Sequence, residues 1–155
     1  MRAPQLITPA PAPMPLYTTV DLPQLDEAID YAARVTKGTV SEFLAAPSRP
    51  AANAPPYIEI AVEFFIPPCS PDRFADELDR ALTRRSLHYA ATRRAGHAMP
   101  LRVTPLSPSV FHQWRLAWKI DPRPQRAHRW SNDRRMLDQI LRYANSGWRE
   151  LYAPD

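Results

Sequence analysis

The sequence predicts an α/β fold, a single domain built on a small mixed β-sheet of about four strands and flanked by about four α-helices. Segments with apolar residues at two-residue spacing alternate with segments at helical spacing, the order expected of a sheet covered by helices. The chain has 155 residues, enough for one substantial core and few for two. Its 19 prolines, against three glycines, include two clusters that mark where no packed element forms. One is "APQLITPAPAPMP" near the N-terminus and the other is "APSRPAANAPP". Residues 1–15 therefore read as a proline-rich disordered leader, 16–144 as the domain and 145–155 as a tail.

Each element has its own signal. "MPLYTTV" is a candidate short strand. In "DLPQLDEAIDYAARVTKG", Leu22, Leu25, Ile29, Ala32 and Ala33 recur at helical spacing, with Asp21 as N-cap and Gly38 where a terminating glycine belongs. "TVSEFLAA" follows as a strand with Val40 and either Phe43 or Leu44 inward. "YIEIAVEFFI" is the clearest strand: Ile58, Ile60, Val62, Phe64 and Ile66 face one way, Glu59 and Glu63 the other. From Ser70 to Arg94 the pattern is helical. Ser70 is the cap, Pro71 fits the first turn, and Phe74, Leu78, Ala81 and Leu82 form the buried stripe. "LRVTPLS" reads as a strand. "SPSVFHQWRLAWKI" reads as a short amphipathic helix with Phe111, Trp114 and Trp118 on one side. The last helix, "NDRRMLDQILRYA", is capped by Asn132 and buries Met136, Leu137, Ile140 and Leu141.

Charge is unevenly placed. Residues 1–72 hold 4 Lys and Arg against 8 Asp and Glu; residues 73–155 hold 16 against 8. The second half is thus basic by eight charges, which suits an anionic ligand. No apolar run reaches membrane-spanning length, and the N-terminus lacks the apolar core of a signal peptide, so a cytoplasmic setting is expected. The single cysteine, Cys69, excludes an internal disulfide and a cysteine-based metal site. His88, His97, His112 and His128 form no pair at metal-ligand spacing on one helix face, so no metal is expected. Glu59 and Glu63 stand about 13 Å apart along a strand, too far for paired carboxylate chemistry. Trp114, Trp118 and Trp130, beside arginines, suggest core or interface residues, or else a stacking platform for single-stranded nucleic acid.

The residue-dense loop "DPRPQRAHRWSND" places Arg123, Arg126 and Arg129 around Gln125, directly before the last helix. Arg126 and Arg129 could hold phosphate through charge-assisted hydrogen bonds.

Four patches, read in order, resemble one family. They are "VSEFLAAP", "YIEIAVEFFIPPCSPDRFADELDRALTRRSLHYAATR", "PLRVTPLSPSVFHQW" and "PQRAHRWSNDRRMLDQIL". Together, over roughly residues 24–143, they are similar to the C-terminal domain of the auxin-responsive Gretchen Hagen acyl-acid amido synthetases. Those are adenylate-forming ligases that join carboxylic acids to amino acids with ATP and magnesium. The family's glutamate–phenylalanine strand end, leucine–aspartate helix and Tyr-x-x-x-Arg ending correspond to Glu63-Phe64, Leu78-Asp79, and Tyr89 with Arg93. Pro100, Val103, Phe111 and Trp114 match the third patch, with Ser109 where the family has glycine. In the fourth, the family carries Gly-Gly-Gln-x-Lys-x-Pro-Arg, whose lysine comes over the adenylation site and contacts phosphate. Anchored on "RWSND", Arg129 stands at the motif's arginine, His128 at its proline and Arg126 at its lysine. Pro122 and Arg123 replace the glycines, and Pro124 falls on the glutamine unless a one-residue slip keeps Gln125 there.

The resemblance implies a stand-alone lid domain with Arg126 in the catalytic lysine's place and Gln125, Arg126 and Arg129 facing phosphate. The large ATP-binding domain of the family has no counterpart in this sequence. The implied chain is therefore not catalytic alone: ATP and magnesium would be bound only with a separately encoded adenylating partner. The alternative is a basic module that binds nucleic acid or protein through its arginine-rich half.

Overall fold

The structure, a computed structural model, describes residues 20–49, 51–119, 129–132 and 134–152, with side chains described up to residue 145. Its elements are α1 (Leu22–Val35), β1 (Thr39–Ser48), β2 (Tyr57–Ile66), α2 (Pro71–Arg85), α3 (Leu87–Arg94), β3 (Arg102–Leu106), α4 (Val110–Ala117) and α5 (Arg135–Tyr152). The sheet order is β1-β2-β3, with β1 antiparallel and β3 parallel to β2. This is the mixed α/β sheet that the sequence predicts. Among the described residues it has three strands, plus an isolated parallel bridge of Trp130 to Ala45 on the outer edge of β1. The candidate strand "MPLYTTV" lies outside the described residues apart from Val20, which is buried.

The two faces of the sheet make two cores. On one, Phe43, Ala45, Ile58, Ile60, Val62 and Phe64 pack against Leu25 and Ile29 of α1 and Phe74, Leu78 and Leu82 of α2. Phe64 and Phe74 meet edge to face at 5.1 Å, the arrangement their ring quadrupoles favour. On the other, Leu44, Ala46 and Ala61 pack against Phe111 and Trp114 of α4 and Leu137 and Ile140 of α5. Both Phe43 and Leu44 are therefore inward, each on its own face. Register irregularities on either side of Val40 interrupt the alternation at the start of β1.

Helix ends show where single residues decide the chain path. Asp21 caps α1 in a full capping box, its carboxylate accepting from Gln24 N at 2.8 Å. The left-handed residue that ends α1 is Lys37, with φ 60°, not Gly38. Lys37 N–H and Gly38 N–H close a Schellman turn onto the carbonyls of Arg34 and Ala33. Gly38 is required for a different reason: a Cβ there would meet Pro68 N at 3.0 Å and Ile66 O at 3.1 Å. The helical run from Ser70 to Arg94 is two helices. Ser86 ends α2, donating its N–H to Leu82 O, and its hydroxyl accepts from Tyr89 N to start α3. Asn132 does not cap the last helix, which begins at Arg135; its side-chain Oδ1 accepts from Trp130 Nε1 at 2.8 Å. Ile66, expected inward, is 49% exposed because it ends its strand beyond the packed layer.

Ser109, standing where the resembled family has glycine, precedes α4 with φ 69° and makes no side-chain cap bond. A non-glycine residue in this left-handed region costs of the order of 1 kcal/mol. Ser109→Gly is therefore expected to raise stability by about 0.5 kcal/mol, after the greater freedom glycine gives the unfolded chain is subtracted. Urea unfolding of the two proteins checks this; a destabilised glycine variant contradicts the reading.

Candidate functional site

The face of the sheet under α4 and α5 carries three glutamates, each held by a group from elsewhere in the chain. Glu42 and Glu63 stand directly opposite each other across β1 and β2. Two like charges in that relation repel unless both are compensated. Arg115 of α4, 1% exposed, presents both terminal nitrogens to Glu42: Nη1 donates to Oε2 at 3.0 Å, and Nη2 is in ion contact with Oε1. This is a buried fork. Glu63 instead receives the first amides of α4, with Phe111 N–H donating to Oε1 at 3.4 Å. Burial pushes its carboxyl above the ordinary range, against the pull of the Phe111, Val110 and Ser109 amides and of His112. One helix thus neutralises two opposed carboxylates, one by its side chain and one by its N-terminus.

Glu59 belongs to the third contact. Arg134 Nη1 lies 2.6 Å from Glu59 Oε2, while Arg134 Nε donates to Asp138 Oδ1 at 2.9 Å. Thr104 and Ser48 hydroxyls also donate to Glu59. The three glutamates therefore seat α4 and the segment before α5. Glu59 and Glu63 have separate partners and do not act together, as their spacing predicts.

Between these anchored elements runs the arginine loop. Gln125, Arg126 and His128 lie outside the described residues, and Arg129 is where the described chain resumes. Arg129 sits on the edge of β1: its carbonyl accepts from Ala45 N at 2.9 Å, and Ser131 N–H donates to Ala45 O at 2.9 Å. Its guanidinium donates through Nη1 to Asp26 of α1 at 2.7 Å and lies 5.5 Å from the centre of the Phe43 ring. Arg129 is thus tied to the domain by a carboxylate and a ring as well as by strand pairing. The loop leaves from α4, pinned by Arg115, and returns at Arg129, pinned by Asp26.

A second cluster explains the signature residues in the helices. Asp79 Oδ1 accepts from Tyr89 Oη at 2.6 Å and from Leu101 N at 3.3 Å; Oδ2 accepts from Arg93 Nη2 at 3.0 Å. Burial first, and then the Asp79 charge, pushes the Tyr89 phenol far above its ordinary range. These groups join α2, α3 and the entry to β3. They brace the fold.

Among the tryptophans, Trp114 is buried and offers no face to a base. Trp118, expected beside it on the packed side, is 55% exposed because α4 ends at Ala117. Trp130 is half-buried. His88, His97 and His112 are exposed, and no group of three His, Cys, Asp or Glu among the described residues could hold a metal. Cys69 is exposed and its N–H donates to Thr36 O. No helix among the described residues is long and apolar enough to cross a membrane.

Asp26, Glu42 and Arg115 carry no mark of their roles in the sequence pattern. A buried arginine among apolar residues in "FHQWRLAW" is visible only once α4 is laid on the sheet, because helical spacing alone leaves position 115 at the margin of the packed stripe.

Residues 23–119 match the model of the GH3 family C-terminal domain. Among solved structures, the chain is similar to "GH3.15 acyl acid amido synthetase", with TM-score 0.59 and 14% identity over 77% of this chain and 24% of that one. It is similar also to "AtGH3.15 acyl acid amido synthetase in complex with 2,4-DB", with TM-score 0.57 and 12% identity over 77% and 23%. At these identities the likeness is one of fold. The chain spans about a quarter of the length of these structures. No curated protein sequence matches it.

Proposed function

Because the chain belongs to the GH3 C-terminal domain family, we propose that it works as a lid. In this reading it docks on an adenylating large domain carried by another chain and is not catalytic alone. ATP and magnesium are held by that partner. The lid contributes cations from the segment between α4 and Arg129. The family match over 23–119, together with the shared fold, carries this reading.

The anchors support it. Arg129, engaged by Asp26, holds the return of the segment more than it reaches outward. Arg126 and Gln125 are then the residues proposed to meet phosphate, with Arg126 in the place of the family's lysine. A guanidinium presents a planar fork where an ammonium is a compact charge, so a phosphate oxygen pair suits Arg126 better than a single oxygen.

The test is reconstitution. An acyl-acid amido synthetase truncated to its large domain is mixed with this protein, ATP, magnesium and its acid and amino acid, and amide formation is followed. Gain of product that falls at least tenfold with Arg126→Ala supports the lid reading. Absence of both complex formation and product gain rejects it.

A further inference from the structure

Some of the described arginines pair with carboxylates and others do not. Arg80, Arg85, Arg93, Arg115, Arg129 and Arg134 are each in ion contact with a carboxylate. Arg49, Arg94 and Arg102 have none within ion-pair distance, and all three are exposed. They collect at one end of the sheet, where β1 ends and β2 and β3 begin. Arg49 and His97 line one shallow groove of about 230 Å³, together with Asn53, Pro55 and Pro56. Met99 N–H donates to Pro56 O at 2.9 Å, which joins the two loops forming the groove. The Arg102 guanidinium lies over the Tyr57 ring, 4.4 Å from its centre, next to Pro56. Arg94 ends α3, two residues before Gly96 of the same groove.

No carboxylate balances these charges. The sequence has no Asp or Glu from Arg80 to Ile120, nor from Arg49 to Ile58. The nearest acids in the fold are already engaged: Glu59, the register partner of Arg102, is held by Arg134, and Asp79, bonded to Leu101 N, is held by Arg93 and Tyr89. Arg34, Arg73 and Arg84 also lack a carboxylate partner but lie apart on α1 and α2, whereas Arg49, Arg94 and Arg102 are turned to solvent around a common depression.

We propose that this end of the sheet, formed by Arg49, Arg94, His97 and Arg102, binds the phosphate backbone of a nucleic acid without reading its sequence. The lack of a large apolar anchor favours phosphates over a protein surface. The groove is lined by small residues, and the exposed large apolar side chains, Phe65, Ile66, Leu87, Leu116 and Trp118, do not line it. A protein interface needs such an anchor at its centre, whereas backbone recognition needs forked donors spaced along a chain of anions. Tyr57 is 8% exposed and covered by Arg102, so no base stacks there and the contact stays with the backbone.

Fluorescence anisotropy of a labelled oligonucleotide, titrated with the whole protein at salt from about 50 to 200 mM, tests this. The expected result is binding that weakens steeply with salt. In Arg49→Ala/Arg94→Ala/Arg102→Ala, the affinity falls at least tenfold and the log–log salt slope shrinks by about 2. The equally charged control Lys37→Ala/Arg73→Ala/Arg84→Ala, all exposed and on other surfaces, keeps most of the affinity. Three results overturn the proposal: no binding at the lowest salt, equal loss in both triple variants, or equally effective displacement by polyglutamate, which points to an acidic protein instead. Thermal melts of both variants confirm that they fold.

Discussion

Arg115→Met will destabilise the domain by about 3–5 kcal/mol, the cost of leaving a buried carboxylate without its partner. Glu42 is 8% exposed and faces Glu63 across the strand pair, so the substitution removes the charge that makes this juxtaposition tolerable. The loss belongs to the broken pair more than to the net value of the pair itself. Glu42→Met/Arg115→Met should therefore recover at least half of it, because an apolar pair needs no desolvated charge. Urea unfolding of wild type, each single variant and the double variant forms the cycle. A single variant within about 1 kcal/mol of wild type would show that water reaches Glu42 and that the fork is not a buried one.

The second large effect is expected at Asp79. Its carboxylate accepts hydrogen bonds from the Tyr89 hydroxyl and the Arg93 guanidinium of α3 and from the Leu101 amide at the entry to β3. Asp79→Ala leaves all three donors without it. At about 1 kcal/mol or more for each stranded donor, discounted because Arg93 is a quarter exposed, the loss is about 2–3 kcal/mol. Asp79→Asn keeps one acceptor and should lose less. Equal stability of the alanine variant and wild type, measured by the same unfolding curves, contradicts a bracing role for these signature residues.

Much of the architecture was legible in the sequence because apolar periodicity reports burial directly. The alternation of Ile58, Ile60, Val62 and Phe64 gave β2, and the spacing of Phe74, Leu78 and Leu82 gave α2. What periodicity does not report is where a helix turns sharply. Ser86 breaks the helical run because its backbone ends one helix while its hydroxyl starts the next, with no proline or glycine to mark the change. Lys37 likewise takes the left-handed position one residue before the glycine that appears made for it, since Gly38 is needed for its closeness to Pro68.

Charge was harder to read than shape. The basic excess of the second half suggests a polyanion-binding face, but several of those arginines pair with acids of the first half: Arg85 with Glu27, Arg115 with Glu42, Arg129 with Asp26 and Arg134 with Glu59. Part of the asymmetry along the chain is thus an internal match across the fold. No linear count can separate arginines that face inward from those at the far end of the sheet. The family motifs were informative in a different way, since Asp79, Tyr89 and Arg93 mark the brace of the domain while the residues proposed to meet phosphate lie between α4 and Arg129.

Amide hydrogen exchange of the domain, alone and with an ATP-loaded adenylating large domain, tests most directly whether that segment is the contact. The lid reading predicts slowed exchange in peptides spanning residues 118–131, with the loops at 49–56 and 94–100 unchanged. Slowing confined to those two loops, with 118–131 exchanging as in the free protein, would contradict it.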